Sequence, residues 1–195
     1  TEDMLSQLSK LNVRCGKVTL HVGVGTFKPL SGDPTGHVMH GERCIVTASE
    51  LQMLASGTEI TAVGTTTLRT LESLFWLACR WREQGVGPEL EVQQWVHQEV
   101  ADPFSSFAEA MRWLVDQQTG EDTSLEFVTR LMIVPGYRVR SAQRLLTNFH
   151  MPKSTLLCIV EAMVGPGWRG AYDHAVSSEY RFLSYGDACL LERRD

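Results

Sequence analysis

Twice in this chain an apolar strand pattern runs into a polar turn and then into a helix-period stretch. Ile60–Val63 leads into Gly64-Thr65-Thr66-Thr67, after which Leu68, Leu71, Leu74, Phe75 and Ala78 recur on one helical face as far as Gly85. Arg144–Phe149 is followed by His150–Lys153, with Ser154 placed to cap an apolar helix over Thr155–Met163. Strands that hand over to helices in this way pack those helices against a sheet, so an α/β architecture is expected. The sheet is expected to be mixed or barrel-like, with flanking helices. A length of 195 residues allows one sizeable core, and 43% hydrophobic with 21% charged residues is ordinary for a globular chain.

The other periodicities supply the order of elements. Met4, Leu5, Leu8 and Leu11 have helical spacing, and Val18–Val24 alternates like a half-buried strand with His21 on its polar side. Gly25–Gly36, with Pro29, Gly32, Asp33 and Pro34, reads as a loop. Glu42–Thr47 is a second strand, and Ser49 with Gln52 suggests a capping box for a short helix after it. Ser106 and Glu109 suggest another, for a helix over 107–118. A strand is expected at Phe127–Val134, broken by Pro135-Gly136, then a helix at Trp168–Ser178 and a last strand at Tyr180–Tyr185. Residues 1–195 are expected to form a single α/β domain, with the acidic segment at about 86–124 as an excursion or lid.

Charge divides the chain unevenly. The net charge is −5, yet Glu83–Glu126 holds ten acids against one base, Arg112, while Phe127–Val160 holds five bases and no acid. A polyanion would be repelled by the first stretch and attracted by Arg130, Arg138, Arg140, Arg144 and Lys153 of the second. A solvated acidic face beside a basic one is the plainer alternative. The five cysteines (15, 44, 79, 158, 189) form no C-x-x-C, and His37 with His40 lacks a third ligand, so neither a disulfide framework nor a metal site is expected. No apolar run approaches membrane-spanning length, and the opening TEDMLSQLSK lacks a signal-peptide pattern, which points to a reducing cytoplasm. The absence of an initiator Met suggests a piece of a longer chain or a processed product.

Chemistry concentrates at the two strand-to-helix turns. Gly64–Thr67 offers backbone N–H groups, hydroxyls and the positive end of a helix, suited to a carboxylate, phosphate or ribose hydroxyl, and Arg69 one turn on could add a bidentate contact. A helix merely capped by Thr66 or Thr67 is the structural alternative. The P-loop pattern is absent, and Gly23-Val24-Gly25 lacks the third glycine of a dinucleotide fingerprint. In LTNFHMPKST, Asn148 could read a base edge or ribose, Phe149 could stack on a base, and Lys153 could meet an anion beside Ser154. His150 could move a proton near neutral pH, as could His21. Asp187, after Tyr185-Gly186, could accept hydrogen bonds from ribose hydroxyls or a basic nitrogen.

VTLHVGVGTFKPL, AVGTTTLRTLES, PGYRV, LLTNFHMPKSTLL and YRFLSYGDACLL resemble, in order, successive blocks of the S-adenosylmethionine:tRNA ribosyltransferase-isomerase family of queuosine biosynthesis. The blocks spread from about residue 18 to 191, and TNFH-x-P-x-STLL is the most specific of them. The resemblance implies transfer and isomerisation of the ribosyl moiety of S-adenosylmethionine onto 7-aminomethyl-7-deazaguanine at the tRNA wobble position. Epoxyqueuosine-tRNA is formed, and adenine and methionine are released. S-adenosylmethionine is then a ribosyl-donating substrate, with no further cofactor and no metal, and tRNA is met through its anticodon stem-loop. It also implies that this chain is the C-terminal part of a longer enzyme whose N-terminal part includes a β-barrel-like domain. On this reading His150 or His21 is the base, and Asp187 with Tyr185 positions ribose or the amine. Gly64, Thr65, Thr66, Thr67 and Arg69 hold the methionine carboxylate or ribose; Asn148, Phe149, Lys153 and Ser154 face the base and anions. Arg130, Arg138, Arg140 and Arg144 meet tRNA. A non-catalytic RNA- or nucleotide-binding module derived from the family is the alternative, and an unrelated enzyme of phosphorylated sugars is a remoter one.

Overall fold

Helix α3 (Thr65–Gln84) is the axis about which the other elements are arranged. A computed structural model describes residues 1–23, 30, 32, 36–87, 90–118 and 124–194. Before α3 come α1 (Glu2–Lys10), β1 (Thr19–Leu20), β2 (Glu42–Thr47), α2 (Ala48–Ala55) and β3 (Thr61–Val63). After it come β4 (Glu91–Val92), α4 (Val96–Glu99), α5 (Phe107–Gln117), β5 (Ser124–Thr129) and β6 (Arg144–Asn148). Helices α6 (Thr155–Val164) and α7 (Trp168–Ser177) follow, joined by a 3-10 turn, and β7 (Ala188–Glu192) closes the order.

The strands make two mixed sheets rather than one. The first runs β1-β2-β5-β4, antiparallel except for the parallel pair β4–β5. The second runs β3-β6-β7, with β3 parallel and β7 antiparallel to β6. One continuous core joins them: Cys44, Val46 and Phe127 from the first sheet, Ala62, Leu145 and Leu191 from the second, and Leu68, Leu71, Leu74 and Phe75 of α3 between. Polar ties reinforce that seam, since Ser73 Oγ lies 2.7 Å from Thr129 Oγ1. The opposite face of the second sheet presents Val63, Leu146 and Leu190 side by side in register, exposed at 64%, 37% and 58%. The mixed α/β expectation with flanking helices therefore stands, and no helix among the described residues is long and apolar enough to cross a membrane.

Several local expectations are corrected. The strand expected over 18–24 is hydrogen-bonded as β1 only at Thr19–Leu20; Val24 and most of the loop at 25–36 lie outside the described residues. Thr47, not Ser49, caps α2, accepting from the Glu50 amide at 3.2 Å. Strand β5 begins at Ser124 and stops at Thr129, because its partner β2 ends where Glu42 pairs Thr129. Tyr180–Tyr185 is not a strand. The Arg181 amide donates to Asp187 at 2.8 Å, Leu183 has φ of 69°, and the segment curls into an aromatic cluster, leaving Ala188–Glu192 as the last strand.

The acidic stretch is no excursion in its described residues. Val92, Val96, Phe104, Phe107, Ala110, Met111 and Leu114 are buried in the core, and α5 packs on α2 and α3. Three of its carboxylates pair with basic neighbours. Asp102 pairs with Arg140, Glu91 with Arg130, and Glu126 with Arg43. The two charge blocks of the sequence thus answer each other within the fold.

Candidate functional site

The two strand-to-helix turns meet because β3 and β6 are parallel neighbours. Val63 is in register with Leu146, and the Gly64 amide donates to the Leu146 carbonyl at 2.8 Å. Gly64 has φ of 89°, a conformation that suits glycine, and it lets the chain leave β3 directly into α3. Thr67 donates to the Val63 carbonyl at 2.7 Å, and no threonine side chain caps the helix. The first-turn amides of α3 therefore lack a side-chain cap, which suits them to an anion or a ligand oxygen. On the other flank of β6, Asn148 pairs with Ala188, which brings Tyr185–Asp187 to the same edge. Gly64–Thr67, Asn148–Ser154 and Tyr185–Asp187 thus share one end of the three-stranded sheet, at the carboxyl ends of its parallel strands. Ligands of α/β sheets sit at such edges.

Individual residues divide into those open at this rim and those spent on building it. Tyr185, just before β7, is 98% exposed, and Lys153, with φ of 56°, is exposed in the turn after β6. Asp187 accepts from the Arg181 amide at 2.8 Å and its Nη2 at 2.9 Å, and these bonds hold its carboxyl below the usual range. Asn148 donates to the carbonyls of Gly186 and Asp187, each at 3.3 Å, so its amide fastens the rim rather than standing free to read a base. Phe149 is 4% exposed and enclosed by Tyr172, Tyr180 and Phe182, which corrects the expectation that it stacks on a base. Ser154 serves as the cap of α6, accepting from the Leu157 amide at 3.2 Å.

The two histidines differ sharply. His150 is buried, its Nε2 lies 2.9 Å from Thr147 Oγ1, and burial pushes its pKa down to about 4. An imidazole held neutral and shielded in this way is a poor match to the open general base expected at that position. His21 is exposed, on the first sheet, with its backbone amide donating to the Arg43 carbonyl at 2.8 Å. Two residues on, the Gly23 amide donates to Glu42 Oε1 at 2.7 Å. Glu42 in turn forms a buried ion pair with Arg69, which is 5% exposed and whose pKa burial lowers to about 10. Arg69 therefore does not reach out to a substrate carboxylate as expected; it ties the first turns of α3 to β2 and to the exit from β1.

The basic stretch is likewise not one free surface. Arg130 is paired with Glu91, Arg140 with Asp102, and Arg144 with Glu59 at 3.1 Å and Glu192 at 3.5 Å. Arg138 is exposed, and among the described residues it has no ion pair. Sequence reasoning also missed Glu72. Its fully buried carboxylate accepts from Tyr137 Oη at 2.7 Å, from the Ser141 amide at 2.7 Å and from the Arg140 amide at 2.9 Å, as well as from the Ser141 hydroxyl. Burial nonetheless pushes its pKa up. The signal was present: Glu72 lies four residues after Leu68 and three before Phe75, on the apolar face of α3.

A family model described as queuosine biosynthesis protein matches residues 1–191. The chain belongs to this family. Among its relatives, the S-adenosylmethionine:tRNA ribosyltransferase-isomerase of Xanthomonas oryzae pv. oryzae is 39% identical over 199 aligned positions, covering 99% of this chain and 46% of the relative. The protein of the same name from Deinococcus radiodurans is 38% identical and covers 99% of this chain and 43% of its own length. The crystal structure of the S-adenosylmethionine tRNA ribosyltransferase of Thermotoga maritima matches with a TM-score of 0.60 at 27% identity, over 97% of this chain and 49% of that one. The chain thus spans a little under half the length of these family members. Three of the five sequence blocks converge on the rim, PGYRV is held to α3 by Glu72, and VTLHVGVGTFKPL lies partly outside the described residues.

Proposed function

We propose that this chain carries the β3–β6–β7 rim as part of a tRNA-modifying transferase-isomerase. The enzyme moves the ribosyl moiety of S-adenosylmethionine onto 7-aminomethyl-7-deazaguanine at the tRNA wobble position and isomerises it. Epoxyqueuosine-tRNA forms, and adenine and methionine leave. The observation that carries this reading is the convergence of Gly64–Thr67, Asn148–Ser154 and Tyr185–Asp187 on one sheet edge in a member of this family. S-adenosylmethionine serves as substrate, so the reading calls on no separate cofactor. The anticodon stem-loop is the part of tRNA presented to the rim, and the cytoplasm, where tRNA is modified, is the compartment.

The chemistry asks for proton transfers and for ribose to be held while bonds to it change. The sulfonium acidifies the protons on the neighbouring ribose carbon, so a base of modest strength can remove one. His21, exposed at the exit of β1, is the histidine suited to that task; His150, held neutral by burial, positions the turn after β6. The first-turn amides of α3 take the methionine carboxylate or a ribose oxygen. Asp187, its carboxyl held below the usual range by Arg181, and Tyr185 face the ribose hydroxyls or the attacking amine, and Lys153 faces an anion at the same edge.

The test follows two labels. S-adenosylmethionine carrying one isotope in ribose and another in its methyl group is incubated with the chain and precursor-containing tRNA. The ribose label should enter tRNA, with the methyl label recovered in methionine. Methyl label in tRNA without ribose label would remove the reading.

A further inference from the structure

The three-stranded sheet has a second end. At the starts of β3 and β6 and the close of β7, a cleft of about 720 Å³ opens, lined by Thr58, Ser105, Ser106, Arg138, Arg140, Arg193 and Arg194. It is separated from the rim by the length of β6, about 15 Å at ~3.3 Å per residue. Its arginines come from distant parts of the sequence and are individually placed. Arg138 stands exposed just after the Pro135-Gly136 turn. The Arg193 amide donates to the Gln143 carbonyl at 2.8 Å, and its guanidinium donates to the Val139 carbonyl at 3.4 Å. The Arg194 amide donates to the Met163 carbonyl at 2.9 Å, and its side chain lies against Gly165, where a Cβ would come within 2.9 Å of Nη1. A further arginine reaches the edge of the cleft, since Arg14 donates to Thr58 Oγ1 at 3.1 Å and to Ser56 Oγ at 2.8 Å.

Acids balance this group only in part, with the Glu109 carboxylate held at the cleft's edge by the Ser105 amide at 2.8 Å. Asp102 is taken by Arg140, and Glu161, the one carboxylate among the lining residues, lies 3.8 Å from Arg169. Among the described residues, Arg14, Arg138, Arg193 and Arg194 form no ion pair. Guanidinium groups match phosphate oxygens in pairs, and an open, positively lined groove suits a phosphodiester backbone better than a compact metabolite.

We propose that this cleft is a docking site for the backbone of an RNA whose reacting nucleotide lies at the rim. It rests on the function proposed above and extends it to Arg14, Arg193 and Arg194, none of which belongs to the basic stretch of the sequence. The arginines neutralise phosphates remote from the chemistry.

The experiment measures binding of labelled tRNA to the 195-residue chain by fluorescence anisotropy across a salt series, for the parent and for Arg14→Ala/Arg193→Ala/Arg194→Ala. Each phosphate contact contributes about 0.9 to the slope of log affinity against log salt, so the triple variant should lose roughly 2–3 units of slope and more than tenfold in affinity at about 100 mM salt. The corresponding triple lysine variant should retain the slope, and melting curves should establish that both variants fold. An unchanged slope in a folded triple alanine variant overturns the cleft assignment while leaving the proposed function standing. Absence of tRNA binding by the parent at low salt overturns both. Displacement by polyglutamate with no competition from tRNA would reassign the cleft to an acidic peptide and overturn the proposal.

Discussion

Replacing Glu72 by alanine should loosen the Tyr137–Ser141 segment more than any surface change nearby. The carboxylate is fully buried and is the common acceptor for two backbone amides, Arg140 and Ser141, and for the hydroxyls of Tyr137 and Ser141. The hydroxyls can rotate, and Tyr137 Oη still accepts from Trp76 Nε1 at 2.7 Å. The amides are fixed by the backbone. Each buried donor left without an acceptor costs about 1–3 kcal/mol, so the two amides alone set a loss of roughly 4 kcal/mol. For a chain of this size that is a fall in Tm of about 8–16 °C. Thermal unfolding followed by circular dichroism measures it, and amide hydrogen exchange should show protection lost first at Arg140 and Ser141. Glu72→Gln supplies the pH arm. Burial raises the native pKa of Glu72 above its unfolded value, so the native state holds the proton more tightly and this group's contribution is fully present below about pH 4.5 and declines as pH rises through the native pKa. The stability gap between parent and Gln variant should therefore narrow with rising pH. A Tm within about 3 °C of the parent for Glu72→Ala, with exchange at Arg140 and Ser141 unchanged, would refute the reasoning.

His150 should titrate far below ordinary histidine. Its native pKa of about 4 lies under the unfolded value, so its contribution to stability is complete above about pH 6.5 and is lost as pH falls towards 4. Its ring proton resonances in NMR should stay flat between about pH 5 and 8, and a midpoint near 6.5 would place the ring in solvent. At the Glu42–Arg69 pair, Arg69→Met should cost about 3–5 kcal/mol in urea unfolding by removing the cation from a buried carboxylate. Adding Glu42→Leu should recover much of that loss, and simple additivity of the two changes would show that the pair is not coupled.

What was legible in the sequence was mostly what is local. Helix α3, with Gly85 at its end, needs only the 3.6-residue period of Leu68, Leu71, Leu74 and Phe75, and the caps Ser106 and Ser154 need only their own three-residue reach. Strand ends are set by partners instead. Strand β5 stops where β2 stops, and nothing within Phe127–Val134 records that. Tyr180 and Phe182 alternate as a strand would, but they are ordered by Phe149 from another element, and Tyr185 points into solvent. The acidic stretch misled through composition: Phe107, Ala110, Met111 and Leu114 have the spacing of a buried helix face, and their signal was outweighed by the count of carboxylates. Charge sums also hid the pairing of Asp102 with Arg140 and Glu91 with Arg130.

The candidate site divides along the same line. Gly64–Thr67 and LTNFHMPKST were each readable as turns after strands, yet their adjacency depends on the parallel pairing of β3 with β6, a tertiary fact. Residue type was a poor guide to role at the rim. Asn148, Phe149, Arg69 and Ser154 have the chemistry of ligand contacts and use it to build the fold, while the open positions are Lys153, Tyr185 and the helix end.

The central claim, that one edge of the β3–β6–β7 sheet receives S-adenosylmethionine, is most directly tested by amide chemical shifts. A ¹H–¹⁵N correlation spectrum of the 195-residue chain is recorded during titration with S-adenosylmethionine, and the shifted amides are mapped on the fold. The account predicts the largest shifts at Gly64–Thr67, Lys153–Ser154 and Tyr185–Asp187. Shifts centred on Ser105, Arg138 and Arg193 at the opposite end of the sheet, or none on saturation, would contradict it.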